Sequence, residues 1–268
     1  RMVTEATLVK IAEDHFWWGS ASAAEWHDRD WLEQTIPARV SLIEMAASHT
    51  ILVVAGPNSR DLLQSLSPRG DWSKKAFGWM QARKMFIGHA QVLVMSVSFS
   101  GELAYELHVP NEQLYLVWQL LQGAGKEFGL SKFGLYSTES MRLEKGYLHW
   151  KAEIIDEFTP FEAGLDRFVK MDKEFLGKVA LQAAQIKGPE KLLVSMEIDC
   201  DVASAHGGDP VFSHGRHIGV VTSAGYGHRI GKNLAYAYVD PSVATAGQRL
   251  SVRVLGIEYL ANVVPRCL

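Results

Sequence analysis

Residues 90–109, AQVLVMSVSFSGELAYELHV, decide the architecture. Two runs of period two, 90–99 and 102–109, flank Ser100-Gly101, and this spacing predicts an antiparallel pair joined by a tight hairpin turn. Alternation in the second run puts Leu103, Tyr105, Leu107 and Val109 on one face, and Glu102, Ala104, Glu106 and His108 on the other. Upstream, HTILVVA (49–55) reads as a short apolar strand. Gly56-Pro57-Asn58 follows it, and SRDLLQSL (59–66) repeats apolar residues at helical spacing. Downstream, Asn111 is placed to cap a helix that buries Leu114, Val117, Trp118 and Leu121 and ends at Gly123 to Gly125. Strand–helix–strand–strand–helix is a split βαβ order. It predicts an α+β fold with ferredoxin-like antiparallel sheet and helix layers rather than a doubly wound parallel sheet.

Farther out, 3–10 and 15–19 alternate like strands, with Glu13-Asp14 in the turn between them, and 22–34 has helical character ended near Pro37. Ser137 precedes the helical stretch TESMRLEKGYL. Thr159-Pro160-Phe161-Glu162 combines capping-box spacing with proline at the first helical position, a second helix start. After Lys187-Gly188-Pro189 the texture changes. Short apolar runs at 192–198, 210–212, 217–222, 234–239, 250–255 and 258–264 alternate with glycine-containing turns, which predicts a small antiparallel β-barrel or jelly roll. The domain boundary is set near Lys187, giving 1–187 and 188–268.

The 268 residues are enough for one large or two modest domains. A hydrophobic content of 47% with 21% charged residues is ordinary for a globular protein, and the net charge of −3 argues against bulk binding of nucleic acid or an anionic membrane surface. Cys200 and Cys267 fit no zinc or redox spacing and read as reduced bystanders. No apolar run approaches the ~20 residues that span a bilayer. The opening RMVTEATLVK resembles neither a signal nor a transit peptide, lacks an initiator Met at position 1, and reads as starting inside a strand, so the chain has the look of a fragment.

Among chemistry-bearing residues, Glu102 and Glu106 stand out because an ordinary surface strand would carry Lys or Thr there. Two readings remain open from pattern alone: a solvated outer face, or a carboxylate that receives adjacent N–H donors from a planar ligand edge, such as N3 and the 2-amino group of a pterin. A charge-assisted bond of that type is worth ~1.5–3 kcal/mol, enough to orient a ligand. The run from Gly123 to Gly129 lacks the spacing of a dinucleotide fingerprint and follows a helix. His206, His214, His217 and His228 show no ligand pair for a metal and read as turn and surface residues. Ser100 is followed by a strand, not the helix a nucleophile elbow needs. Trp17, Trp18, Trp26 and Trp31 read as core and rim aromatics.

Five segments, taken together and in order, resemble one family. They are GPNSRDLLQSL (56–66), SFSGELAYELHVP (98–110), SMRLEKGYLHWKAEI (140–154), TPFEAGLDRFVKMDKEFLGKVAL (159–181) and VTSAGYGHRIGKNLAYAYV (221–239). The chain is similar to the folate-binding aminomethyltransferase (glycine-cleavage T-protein) superfamily. The RLEKGYLHW and AGLDRFVK wording looks most like the C-terminal folate domain of dimethylglycine and sarcosine dehydrogenases.

The resemblance implies tetrahydrofolate as the bound cofactor. It also implies FAD, in an N-terminal domain missing from this chain, and a small N-methyl amine as substrate, with the flavin oxidoreductase domain as partner in cis or as a subunit. The implied reaction passes a one-carbon unit from an iminium or formaldehyde to tetrahydrofolate, giving 5,10-methylenetetrahydrofolate. The implied location is cytoplasmic, or the mitochondrial matrix in a eukaryote. The family's pterin-binding glutamate falls on Glu106, and the aromatic seven residues before it falls on Phe99, which keeps the ring and loses a hydroxyl. An arginine that some T-proteins carry falls on Thr138, as in the dehydrogenase-like members. The family's catalytic aspartate falls on Glu5 in TEATLV, an acid/base role carried by a side chain one methylene longer. Arg142 and Glu144 read as structural ion-pair residues. Two other readings stay open: a flavin-independent tetrahydrofolate-dependent transferase or O-/S-demethylase, and a folate-binding protein without turnover.

Overall fold

A computed structural model describes residues 1–266. Its first half runs β1 (Ala6–Lys10), β2 (Phe16–Ser20), α1 (Glu25–Thr35), β3 (His49–Ala55), α2 (Ser59–Leu66), β4 (Ala82–Ile87), β5 (Ala90–Met95), β6 (Ala104–Pro110) and α3 (Leu114–Gly125). Then come α4 (Leu135–Lys145), α5 (Lys178–Lys187), β7 (Leu192–Ile198), β8 (Pro210–Ser213), β9 (Arg216–Gly227), β10 (Lys232–Val239), β11 (Arg249–Val254) and β12 (Ile257–Val264). Two compact units share these elements: Trp31–Thr138, and Arg1–Asp30 together with the chain from Glu139 onward.

In the unit Trp31–Thr138, four antiparallel strands lie in the order β3-β6-β5-β4. Alternation sends Val54, Val92, Val94, Tyr105, Leu107 and Val109 to one face. There they form a single core with Leu62 and Leu63 of α2 and Val117 and Leu121 of α3. Each such side chain contributes ~1.5–3 kcal/mol by leaving water, so the period-two and helical patterns are bound to each other through one apolar layer. The hairpin differs from its predicted form. The ladder opens at Met95↔Glu106, and residues 96–103 are a longer connection. Serine hydroxyls compete with ladder pairing there, with Ser100 Oγ 3.4 Å from both Ser98 Oγ and the Glu102 amide, and Gly101 takes φ +76°. Asn111 does not cap α3. Its Oδ1 accepts from Thr50 and its Nδ2 donates to the Ala47 carbonyl, so its side chain ties down the start of β3 instead. Strand β4, which the sequence pattern did not single out, is one of the two edge strands, burying Met85 and Ile87.

In the other unit, β1 and β2 form a two-stranded ribbon, and β10-β7-β12-β11-β8-β9 close into an antiparallel barrel around Val194, Met196, Val211, Val221, Ala237 and Val252. Of the two predicted forms, barrel and jelly roll, the barrel is the one present. Strand closure requires a close backbone approach at Gly219, where an added Cβ would stand 2.1 Å from the Tyr238 carbonyl oxygen. The Thr159–Glu162 capping box is made: Thr159 N–H and Oγ1 donate to Glu162 Oε2 at 2.8 and 2.9 Å, and Glu162 N–H donates back at 3.3 Å. No α-helix follows it, because Gly164 at φ +65° closes the turn at once, and only a single 3-10 turn, Asp166–Phe168, comes next. Trp17 and Trp31 are half-buried while Trp18 and Trp26 are exposed, so these indoles are rim rather than core. His206, His214, His217 and His228 are exposed. Cys200 is a buried free thiol, and Cys267 lies outside the described residues. Among the described residues no helix is long and apolar enough to cross a membrane.

Candidate functional site

Glu106 occupies an inner strand of its sheet. Register places it opposite Val53 of β3 on one side and Met95 of β5 on the other, all on the face turned away from α2 and α3. His108 follows on the same face, between Ile51 and Leu93, and its Nε2 lies 3.4 Å from Glu106 Oε2. The His108 side chain is 3% exposed and that of Glu106 is 31% exposed. The face is mixed: Ala104 and His108 are buried there, while Ile51 and Val53 of β3 are about half exposed. It presents one reachable carboxylate on an apolar floor. That combination suits a flat ring lying on aliphatic groups while its N–H edge meets the carboxylate.

Glu102 does not share this position. It precedes β6, so the common face read from alternation holds for Ala104, Glu106 and His108 only. Glu102 instead lines a cavity of about 320 Å³ with Arg60, Lys74, Trp79, Ser96 and Ser98. Phe99 lies on the 96–103 connection of the same unit, with its ring partly exposed.

Glu5 belongs to the other unit, immediately ahead of β1. It keeps solvent-accessible surface, while crowding by protein atoms raises its carboxyl above the usual carboxylate range and the charge of His149 opposes that rise. The residues just ahead of it are held in place. Met2 is buried in one apolar cluster with Trp150 and Ile154, and the Val3 carbonyl meets His27 Nε2 at 3.1 Å.

Behind His149 stands a buried charge array. Arg142, fully buried on α4, contacts Glu139 Oε2 through Nε and Nη2 at 2.9 and 2.8 Å, Glu153 Oε2 at 2.8 Å and the Tyr147 carbonyl at 3.0 Å. Glu153, also fully buried, further accepts from the His149 amide, from Thr222 Oγ1 at 2.7 Å and from Ser223 Oγ. Arg142 is therefore the structural ion-pair residue its sequence context suggested. Glu144 is not paired with a cation in this way: its Oε1 accepts the backbone N–H groups of Arg229 and Ile230. Burial pushes the Tyr236 hydroxyl up to about 12, against the pull of Arg142, and the phenol donates to the Leu143 carbonyl.

The sequence reading singled out Glu5, Glu106 and Phe99 and passed over His108, Glu139 and His149. His108 was legible in principle, being two residues from Glu106 on the same strand face. His149 was not, because its partner Glu139 precedes it by ten positions across the end of a helix.

Comparison with known proteins places these residues in a family context. The family model for the GCVT N-terminal domain matches residues 1–173, and that for the glycine cleavage T-protein C-terminal barrel domain matches residues 191–268. The chain is 32% identical over 269 residues to the mitochondrial dimethylglycine dehydrogenase of Rattus norvegicus, covering 98% of this chain and 31% of that protein. It is 32% identical to an aminomethyltransferase of Koribacter versatilis, covering 98% of this chain and 70% of that one. It is 30% identical to the mitochondrial sarcosine dehydrogenase of Mus musculus, covering 91% and 27%. The chain thus spans about a third of the length of the dehydrogenases. In fold it matches the crystal structure of the glycine cleavage system aminomethyltransferase T from Bartonella henselae, with a TM-score of 0.85 at 22% identity over 99% of this chain and 72% of that one.

Proposed function

The chain belongs to the glycine-cleavage T-protein (aminomethyltransferase) family, and from that premise we propose that it is the tetrahydrofolate-binding, one-carbon-transferring part of an N-demethylating dehydrogenase. Its substrate is the iminium, or the formaldehyde, derived from a small N-methyl amine such as dimethylglycine or sarcosine, and its product is 5,10-methylenetetrahydrofolate. A flavin oxidoreductase domain, in cis or as a subunit, forms that iminium. The similarity to dimethylglycine and sarcosine dehydrogenases over nearly the whole chain supports this choice of substrate class. A matrix location in a eukaryote and a cytoplasmic one otherwise belong to the same proposal; the mitochondrial names of these relatives support a mitochondrial location in a eukaryote. The division at Lys187, with 1–187 as the folate-binding part and 188–268 as the barrel, belongs to the same proposal. Family matches that end at 173 and resume at 191 support it.

The observation that carries the reading is Glu106 itself, a carboxylate set between Val53 and Met95 on an inner strand. A pterin fits that donor set: its N3 and 2-amino hydrogens form a bidentate edge, and its ring is apolar enough to lie on the aliphatic floor. Phe99 supplies an aromatic surface for the same ring. When bound, tetrahydrofolate supplies the nucleophilic nitrogen. The residues of the chain do the rest. Glu106 orients the ring, and Glu5 accepts the proton lost by the attacking nitrogen and stabilises positive charge developing there.

Titration with tetrahydrofolate tests the assignment. Glu106→Ala is expected to weaken binding by roughly tenfold or more, the loss of one charge-assisted hydrogen bond. Affinity equal to the parent's overturns Glu106 as the anchor. The flavin-independent aminomethyltransferase reading is favoured by a different observation, the larger share, 70%, of the Koribacter versatilis aminomethyltransferase that the chain covers. Supplying formaldehyde or a pre-oxidised N-methyl amine separates the two. Transfer from these donors supports the dehydrogenase reading. Transfer only from an aminomethyl, O-methyl or S-methyl donor supports the other, and tight folate binding with no transfer from any donor identifies a protein without turnover.

A further inference from the structure

The cavity of about 320 Å³ that Glu102 lines has no role in the reading above, yet its walls carry both signs of charge and an open indole. One wall comes from α2 and the segment ahead of β4, which supply Arg60, Lys74 and Trp79. The other comes from the stretch between β5 and β6, which supplies Ser96, Ser98 and Glu102. Its size lies at the lower end of ligand pockets, ~300–1,000 Å³, and suits a small metabolite.

The first wall is fixed in place. Arg60 Nη1 donates to the carbonyls of Trp72 and of Phe77, the latter at 3.1 Å, and its Cζ stands 5.5 Å from the centre of the Tyr105 ring. Among the described residues nothing takes up the hydrogens of its Nε and Nη2, and Lys74 makes no ion pair. Trp79 is 72% exposed, but the turn that presents it is pinned to the other wall. Met80 N–H donates to the Ser96 carbonyl at 2.9 Å, and Ser96 N–H donates to the Gln81 carbonyl at 2.8 Å. Gln81 Oε1 in turn receives the Gly78 N–H at 3.1 Å. Met80 takes φ +59°, a left-handed conformation that a side chain adopts at a cost, and strain of this kind clusters at ligand clamps.

Charge, aromatic surface and size together select a ligand. A fixed guanidinium beside an unpaired ammonium favours a carboxylate. An open indole face favours a cationic nitrogen clad in methyl groups, which the ring quadrupole attracts and which gives up little hydration. Glu102 adds negative charge on the facing wall. A small amino acid methylated on nitrogen carries both groups on one carbon. We infer that this cavity binds the N-methyl amino acid from which the one-carbon unit is taken, with its carboxylate on Arg60 and Lys74 and its methylated nitrogen on Trp79. This rests on the reading of the chain as the folate-binding part of a demethylating enzyme. Placement favours it: Ala104 also lines the cavity, and Glu106 follows on the same face of β6, about 7 Å farther along at ~3.3 Å per residue. A donor held there lies beside the pterin anchor without competing for it.

The test is calorimetric titration of the chain with N,N-dimethylglycine, sarcosine and glycine, with tetrahydrofolate titrated in parallel. Affinity is expected to rise with the number of methyl groups, glycine binding most weakly. Trp79→Ala should weaken dimethylglycine binding by about fivefold, the effect of one exposed cation–π contact. Lys74→Gln should weaken it by about threefold, the effect of an exposed ion pair. Both side chains are exposed, so both variants keep the fold, and both should bind tetrahydrofolate as the parent does. Glu106→Ala should show the reverse, losing folate affinity while keeping that for dimethylglycine. Glycine bound as tightly as dimethylglycine, or parent-like dimethylglycine binding in Trp79→Ala, overturns the cavity assignment. Tetrahydrofolate binding with no dimethylglycine binding overturns it too and leaves the folate reading standing. Absence of tetrahydrofolate binding overturns that reading, and the donor role of the cavity falls with it.

Discussion

Glu5 differs from the aspartate its alignment implies by a single methylene, and at the residue scale that changes both reach and environment. A displacement of about 1 Å at a reacting group can cost ~10²-fold in rate, so a site shaped around Glu does not return to full activity with Asp. Glu5→Gln should lower methylene transfer by about 100-fold or more with folate affinity nearly unchanged, and Glu5→Asp should fall between it and the parent. The direction of the pKa shift adds a second readout. A carboxyl raised by folding binds its proton more tightly in the native state, so its ionisation destabilises the fold as pH rises through the unfolded and then the folded value. Glu5→Gln should therefore melt at a higher temperature than the parent at neutral pH, and the gap should close under acid conditions. Activity lost while stability is gained marks a functional carboxylate, and thermal melts at two pH values measure it. The residue types at positions 5, 99 and 106 were legible in the motifs that carry them. The cross-strand neighbours of Glu106 were not, because register between distant strands sets them.

At the scale of elements, the segment after Phe158 shows how a correct local signal leads to a different element. The capping-box bonds at Thr159–Glu162 exist as predicted, and Pro160 sits where a helix would start. Five residues after Thr159 the turn is already closed: Leu165 N–H reaches the Pro160 carbonyl at 2.8 Å and Gly164 N–H the Phe161 carbonyl at 3.1 Å, a helix-ending pattern around a left-handed glycine. An N-terminal cap and a C-terminal cap meet with one turn between them. Glu162 gains a further function from this, because its Oε1 accepts the N–H of Glu190 at 3.0 Å and of Lys191 at 3.3 Å, anchoring the lead-in to β7. Burial would raise its carboxyl, but these bonds and those from Thr159 outweigh burial and hold it below the usual range. A depressed carboxyl stabilises the fold above its unfolded pKa, and that stability is lost as pH falls through the folded value. Glu162→Gln should thus cost ~1–3 kcal/mol at pH 7 in denaturant unfolding, with the difference shrinking toward zero in acid. The longer 96–103 connection follows similar logic, with serine hydroxyls and Gly101 ending the ladder earlier than alternation alone would.

Across the whole molecule, the largest commitment of polar groups is the pairing of Arg142 with Glu153. It joins α4, the 149–154 turn and the barrel strand β9, segments up to about 80 positions apart. Removing one partner of such a pair leaves an uncompensated buried charge, commonly a loss of 3–5 kcal/mol. Glu153→Ala should lower stability in urea unfolding by less than that, because Arg142 keeps Glu139 and the Tyr147 carbonyl and Thr222 keeps the Tyr236 carbonyl, while the acceptor of the Ser223 hydroxyl and of the His149 amide is lost. Sequence by itself determined the period-two strands, the amphipathic helices, the glycine-punctuated barrel segments and the order of motifs that marks the family. Each of these is set by backbone sterics and side-chain direction over a few neighbouring residues. Only the tertiary structure decided that Glu106 lies between Val53 and Met95 while Glu102 lies off the strand, that the last six strands close on themselves, and that Glu139 and Arg142 stand behind His149. Those outcomes depend on register and on pairing between distant segments, which no local preference encodes and which are selected by the summed burial of the cores they join.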